Sequence, residues 1–191
     1  WRIVQFFDSY TVKTPVEEDD PRAVYYEYFE ELAHRKNQEL MRRNLIERDR
    51  EMGTKFEEAT RYLFECKLGC TLAEQHGTDH SDGAIQLANG ELLLWDNKSK
   101  EECYSFPKAH RDQFARYIRE SANRVSVFLV IVPDVDPQTR IHAMQLKHET
   151  ATDTDIALIR ARDLKYVAET WKKHAKKDQF NPMLFNSTGI L

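Results

Sequence analysis

Residues 81–100 read SDGAIQLANGELLLWDNKSK, and this stretch decides the fold. Two apolar runs, GAIQL and ELLLW, flank Ala88-Asn89-Gly90, a strong hairpin signal. Pairing them puts the turn at Asn89 and Gly90 and brings Asp82 and Asp96 together at the open end. Lys98 follows two residues after Asp96 and lies on the same strand face. Two carboxylates and an ammonium therefore converge at the rim of a buried hairpin, where unpaired charge is costly.

Downstream, residues 106–123 carry a helical pattern. RVSVFLVIVPD (124–134) is apolar on both faces, as a central strand covered on two sides must be. RIHAMQLK (140–147) reads as another strand. IALIRA (156–161) reads as a short strand leading into a helix capped near Asp163, and the apolar tail FNPMLFNSTGIL is expected to dock on the body. Upstream, residues 53–67 form a helix with Phe56, Ala59, Leu63 and Cys66 on its core face and Gly69 as its stop. Asp20 and Pro21 mark the start of a long charged helix reaching to about Arg50, with Tyr25, Phe29, Leu32, Leu40 and Leu45 as its apolar stripe. The first fifteen residues read as a strand or an arm. The fold class is α/β, a mixed central sheet flanked by helices with an N-terminal helical extension. Residues 1–50 are part of, or appended to, a core spanning 51–191.

The chain has 191 residues, 41% hydrophobic and 31% charged, which suits one globular domain. No apolar run is long enough to cross a bilayer. Three cysteines are too few for a disulfide framework, and a reducing cytoplasm is the expected location. A net charge of -4 argues against coating nucleic acid by bulk electrostatics, and a nucleic-acid enzyme of this charge would hold DNA weakly on its own.

Chemistry can explain the charged rim. Two carboxylates with nearby carbonyl oxygens suit a hard cation such as Mg2+, which binds phosphate oxygens and acidifies water. A lysine beside it can orient that water or neutralise charge developing on phosphorus. The competing reading is a surface ion pair between Asp96 and Lys98, with Asp82 capping a turn.

Ser81-Asp82-Gly83 and Asp96-Asn97-Lys98, joined by a hairpin, resemble the PD-(D/E)xK nuclease signature. With Ala84 and Ile85, the run from Leu92 to Trp95 and the following helix DQFARYIRE, they resemble more narrowly the cleavage domain of FokI-like type IIS restriction endonucleases. The resemblance implies a restriction-endonuclease-like core and Mg2+- or Mn2+-dependent hydrolysis of double-stranded DNA. It implies Asp82, Asp96 and the Asn97 carbonyl as metal ligands, Lys98 as the catalytic lysine, and Glu57 as the helix glutamate, with Glu58 its runner-up. Ser81 stands where the family usually has proline.

Asp112 and Arg116, four apart on one helix, read simply as an intrahelical pair. In the FokI-like family this helix resembles the dimerisation element, which implies a transient homodimer or a heteromeric partner for double-strand cleavage. Lys108, Arg111 and Arg119 are candidates for phosphate contacts, against solvated helix faces as the plainer reading. No sequence-reading motif is present, so specificity is expected from a recognition domain or subunit outside this chain.

Three other readings compete. Cys66, Cys70, His76 and His80 offer zinc ligands, with a central spacer short for a finger. An Mrr-like or repair nuclease, or a junction resolvase, would share the triad. A non-catalytic interaction domain would use the long charged helix on a decayed nuclease fold.

Overall fold

The computed structural model describes residues 20–75, 80–174 and 180–191. The arm at 1–15 and His76 lie outside the described residues. Helices α1 (Arg22–Glu27), α2 (Phe29–Ala33), α3 (Asn37–Arg42) and α4 (Glu51–Tyr62) come first, and α4 ends in a π-helical turn, Leu63–Lys67. Then follow β1 (Gly83–Gln86), β2 (Leu92–Asn97), α5 (Lys108–Glu120), β3 (Val125–Val132), α6 (Thr139–Thr150), β4 (Asp155–Arg160), α7 (Ala161–His174) and β5 (Gly189–Ile190). The strands form one sheet in the order β1-β2-β3-β4-β5. The first pair is antiparallel and the rest are parallel. The mixed sheet flanked by helices is the expected fold class.

The hairpin turns as its sequence predicts. Leu87 and Glu91 are joined through Leu87 N–H to the Glu91 carbonyl (2.9 Å), and Gly90 adopts φ +82°, a conformation in which glycine carries little strain. Every residue of β3 is buried. Val127, Leu129 and Ile131 face a core shared with α1, α2, α4 and α7, while Phe128, Val130 and Val132 face one shared with α5 and α6. A strand with cover on both sides has no polar face, which is why its sequence shows no alternation. The tail docks as expected, with Phe180 and Phe185 buried and β5 extending the sheet.

Three local expectations are corrected. The stretch 140–147 is helical, not a strand. Its buried residues Thr139, Ala143, Leu146 and Thr150 recur at helical spacing, and the parallel pairing of β3 with β4 requires a crossover that α6 supplies. The long helix from Pro21 to Arg50 is three short ones, interrupted at Tyr28 and at the left-handed residues Arg35 and Asn44. The breaks fold its apolar residues inward, so Phe29, Leu32 and Leu40 join the same core as α4. The first helix starts at Arg22 with Pro21, not Asp20, at its N-cap, and the Asp20 carboxylate accepts the Arg22 N–H (2.9 Å). Cys66, placed on the core face of the second helix, is exposed, because the π-helical turn shifts the phase of the last residues.

Candidate active site

The register of the hairpin pairs Gly83 with Trp95, so Asp82 and Asp96 meet at the open end, as their spacing predicts. Asp82 Oδ2 accepts the Asn97 N–H (2.6 Å), and the Asp82 carbonyl accepts Arg61 Nη2 from α4 (2.8 Å). Ser81 is buried. Its hydroxyl accepts Gln75 Nε2 (2.7 Å) and donates to the Gly83 carbonyl (3.1 Å), so hydrogen bonds fix the turn that a proline ring would otherwise restrict. Gly83 cannot carry a side chain here: a Cβ would lie 2.0 Å from the Trp95 ring.

Side-chain alternation along β2 sorts the next residues. Trp95 enters the helix-rich core against Phe64 (5.0 Å between centroids). Asp96 is only 2% exposed and forms an ion pair with Lys98, whose side chain is 19% exposed and whose Nζ lies 5.2 Å from the Phe114 ring. Asn97 Nδ2 donates to the Phe56 carbonyl (3.2 Å) and to Thr60 Oγ1, which locks the end of β2 to α4. The pairing in the plainer reading is therefore present, but it is not a surface pair. Burial at this depth makes it costly and a poor source of stability.

The electrostatics are those of excess negative charge. Burial raises the pKa of Asp82, opposed by the Asn97 N–H, Lys98, Arg61 and His80. Burial raises Asp96 too, reinforced by Asp82. Glu57, on α4, is half-buried and pushed up to about 7, first by burial and then by Asp82. Glu58 is engaged elsewhere, paired with Lys55 (3.1 Å). Glu57 is thus the glutamate that shares the electrostatic field of Asp82 and Asp96. Arg61, one turn further along α4, went unread in the sequence although its i+4 spacing from Glu57 was visible.

A second pair was not legible at all. Tyr104, fully buried, is hydrogen-bonded through its hydroxyl to His110 Nδ1 (2.9 Å), and the two rings stack at 5.7 Å. Burial, Lys98 and Lys100 depress His110 to about 4, so this imidazole is neutral at physiological pH. The chain reverses between them at Phe106, which takes φ +53°.

The outlying candidates fall on α5. Asp112 and Arg116 are both exposed, and Asp112 pairs with Lys108 (2.8 Å). Arg111 donates to Gln145 Oε1 (2.8 Å) and Arg119 to the Glu149 carbonyl (2.5 Å), both on α6.

Residues 12–190 match the family model described as the FokI cleavage domain. The chain belongs to the FokI cleavage-domain family. Two solved structures agree in fold. The restriction endonuclease FokI superposes with a TM-score of 0.64 at 16% identity, over 87% of this chain and 31% of FokI. FokI bound to DNA gives 0.62 at 17% identity, over 87% and 30%. The chain thus spans about a third of the FokI chains it matches. No curated protein matches it. Among the described residues, no helix is long and apolar enough to cross a membrane.

The oxygen donors gathered at this rim suit a hard divalent cation. Asp82, Asp96 and Glu57 are oxygen donors, each pushed toward protonation by burial, and a cation would reverse that. Among the described residues no three His, Cys, Asp or Glu side chains form a closed ligand cluster. Asp96 instead turns onto Lys98 and Asp82 onto the Asn97 N–H. All three cysteines are free thiols.

Proposed function

We propose that this chain is the metal-dependent DNA-cleaving domain of a type IIS-like restriction enzyme. The supporting observation is the buried convergence of Asp82, Asp96 and Lys98, with Glu57 beside them, in a FokI-type fold. Asp82, Asp96 and the Asn97 carbonyl would hold Mg2+ or Mn2+. The bound cation would supply Lewis-acid stabilisation of the phosphate and a more acidic water. Glu57 accepts a hydrogen bond from the attacking water and orients it. Lys98 donates to the phosphate oxygen on which charge develops. Asn97, clamped to α4, and Arg61, on the Asp82 carbonyl, hold the strand ends in place.

On this reading residues 20–50 are a layer of the nuclease core, and the recognition element lies in another segment or subunit. The exposed Asp112 and Arg116 form an isologous contact between two copies, since one active site cuts one strand. The reading carries with it a reducing, cytoplasmic setting. No observation favours an Mrr-like or repair nuclease or a junction resolvase, and the complete Asp82, Asp96 and Lys98 set speaks against a non-catalytic domain.

The test is plasmid cleavage in Mg2+, in Ca2+ and in EDTA. Wild type is expected to nick or linearise DNA in Mg2+ alone. Asp82→Ala, Asp96→Ala and Lys98→Ala should each lose at least about a hundredfold. Cleavage by all three at the wild-type rate would sink the assignment.

A further inference from the structure

Two of the cations on α5, Arg111 and Arg119, are held by acceptors on α6. Positive charge near the site lies instead across the sheet, where the turn between α2 and α3 meets the chain leaving β2. There the Lys100 N–H donates to the Ala33 carbonyl (2.9 Å). Glu101 lines an open groove of about 820 Å³ together with Arg35, Lys36, Glu39, Arg42 and Arg43. Four cations face two carboxylates, in a chain whose net charge is -4.

The groove has a fixed wall and two available cations. Arg35 is held by Asp49 (2.8 Å). Arg43 stacks over the Tyr28 ring (5.0 Å), donates to the Tyr28 hydroxyl (3.0 Å) and pairs with Glu39 (3.4 Å). The side chains of Lys36 and Arg42 are exposed and make no ion pair or hydrogen bond among the described residues. Glu101 is three residues from Lys98, at most roughly 10 Å of chain. That is about three nucleotides at about 3.4 Å of rise along one strand.

We propose that this groove holds the backbone of the DNA duplex a few nucleotides from the cleaved bond, with Lys36 and Arg42 as its phosphate contacts. The inference rests on the nuclease reading for its ligand. It also answers a need, because a chain of net negative charge requires a local basic track to hold DNA. Contacts of this kind position the duplex and read no sequence, as suits a domain whose specificity comes from elsewhere.

The experiment measures binding of a 30-base-pair duplex, of about that length, as a function of salt. It uses the full chain carrying Asp96→Ala, so that nothing is cut. Adding Lys36→Ala and Arg42→Ala should weaken binding roughly tenfold at about 50 mM salt, equally for unrelated sequences. The slope of log affinity against log salt should fall by about two. A charge-matched control, Arg124→Ala with Lys147→Ala at the far end of the strands, should leave both unchanged. Thermal melting checks that each variant is folded. Affinity and slope matching the control would overturn the proposal, and would be the result if the groove docks a protein segment. Metal-dependent cleavage by wild type, measured separately, keeps the two claims apart. Cleavage with unchanged binding removes the groove alone, whereas weakened binding without any cleavage keeps the groove and removes the catalytic reading.

Discussion

At the scale of the residue, burial decides what each charged group does. Asp96 and Lys98 would contribute almost nothing as a surface pair. Placed at the covered end of β2, the same two groups become an electrostatic demand that a cation and a phosphate can meet. His110 shows the same physics with the opposite sign. Its folded pKa, about 4, lies below the ordinary 6.5. The neutral ring therefore contributes its full stability above pH 6.5, and that contribution is lost as pH falls from 6.5 toward 4. Discounted for its partial exposure, it amounts to about 1–2 kcal/mol. The melting temperature of wild type minus that of His110→Gln should thus fall by about 3–6 °C between pH 6.5 and pH 4.5. A difference that stays constant across that window would show that the imidazole is not held neutral.

At the scale of the element, the hairpin and α4 act as one device. Gly83 lets the Trp95 indole lie against the neighbouring strand, beside the end of the hairpin where Asp82 and Asp96 meet. Gly83→Ala places a methyl where the ring sits. It should cost about 1–3 kcal/mol in a denaturant titration and lower cleavage in the surviving folded protein. Stability equal to wild type would mean that Trp95 can move freely, against its complete burial. The hairpin was legible because its turn and its two apolar runs are local. The helix at 140–147 was misread because eight residues of mixed polarity fit either period, and only the parallel pairing of β3 with β4 settles the choice. The breaks after α2 and α3 were hidden for a related reason: tertiary burial of Phe29, Leu32 and Leu40 compensates left-handed backbone at Arg35 and Asn44 that local propensity disfavours.

At the scale of the whole molecule, the candidate active site sits at the carboxyl ends of β2 and β3, and α5 carries Asp112 and Arg116 on an exposed face. If two copies meet there by a two-fold axis, Asp112→Ala and Arg116→Ala should each reduce self-association in sedimentation with DNA and Mg2+. They should also shift plasmid products from linear to nicked. Exchanging the pair, Asp112→Arg with Arg116→Asp, should restore both, because an isologous contact is self-complementary. Unchanged sedimentation of both single variants would reject this face as the contact. On the proposed reading, a dimer of two weak DNA binders would hold DNA more tightly than either copy alone.

The sequence by itself determined the hairpin, the central strand and the convergence of Asp82, Asp96 and Lys98, because a period of two and a tight turn dictate which residues meet. Through the family resemblance it also offered Glu57, with Glu58 as runner-up, on the preceding helix. Only the tertiary structure paired Glu58 with Lys55 and left Glu57 in the field of Asp82, since that depends on which face of α4 packs on β2. Only the structure brought Arg61 to the Asp82 carbonyl, Tyr104 to His110, and the α2–α3 turn to the exit of β2. Those contacts join segments whose spacing carries no periodic signal, and burial of a shared core is what brings them together.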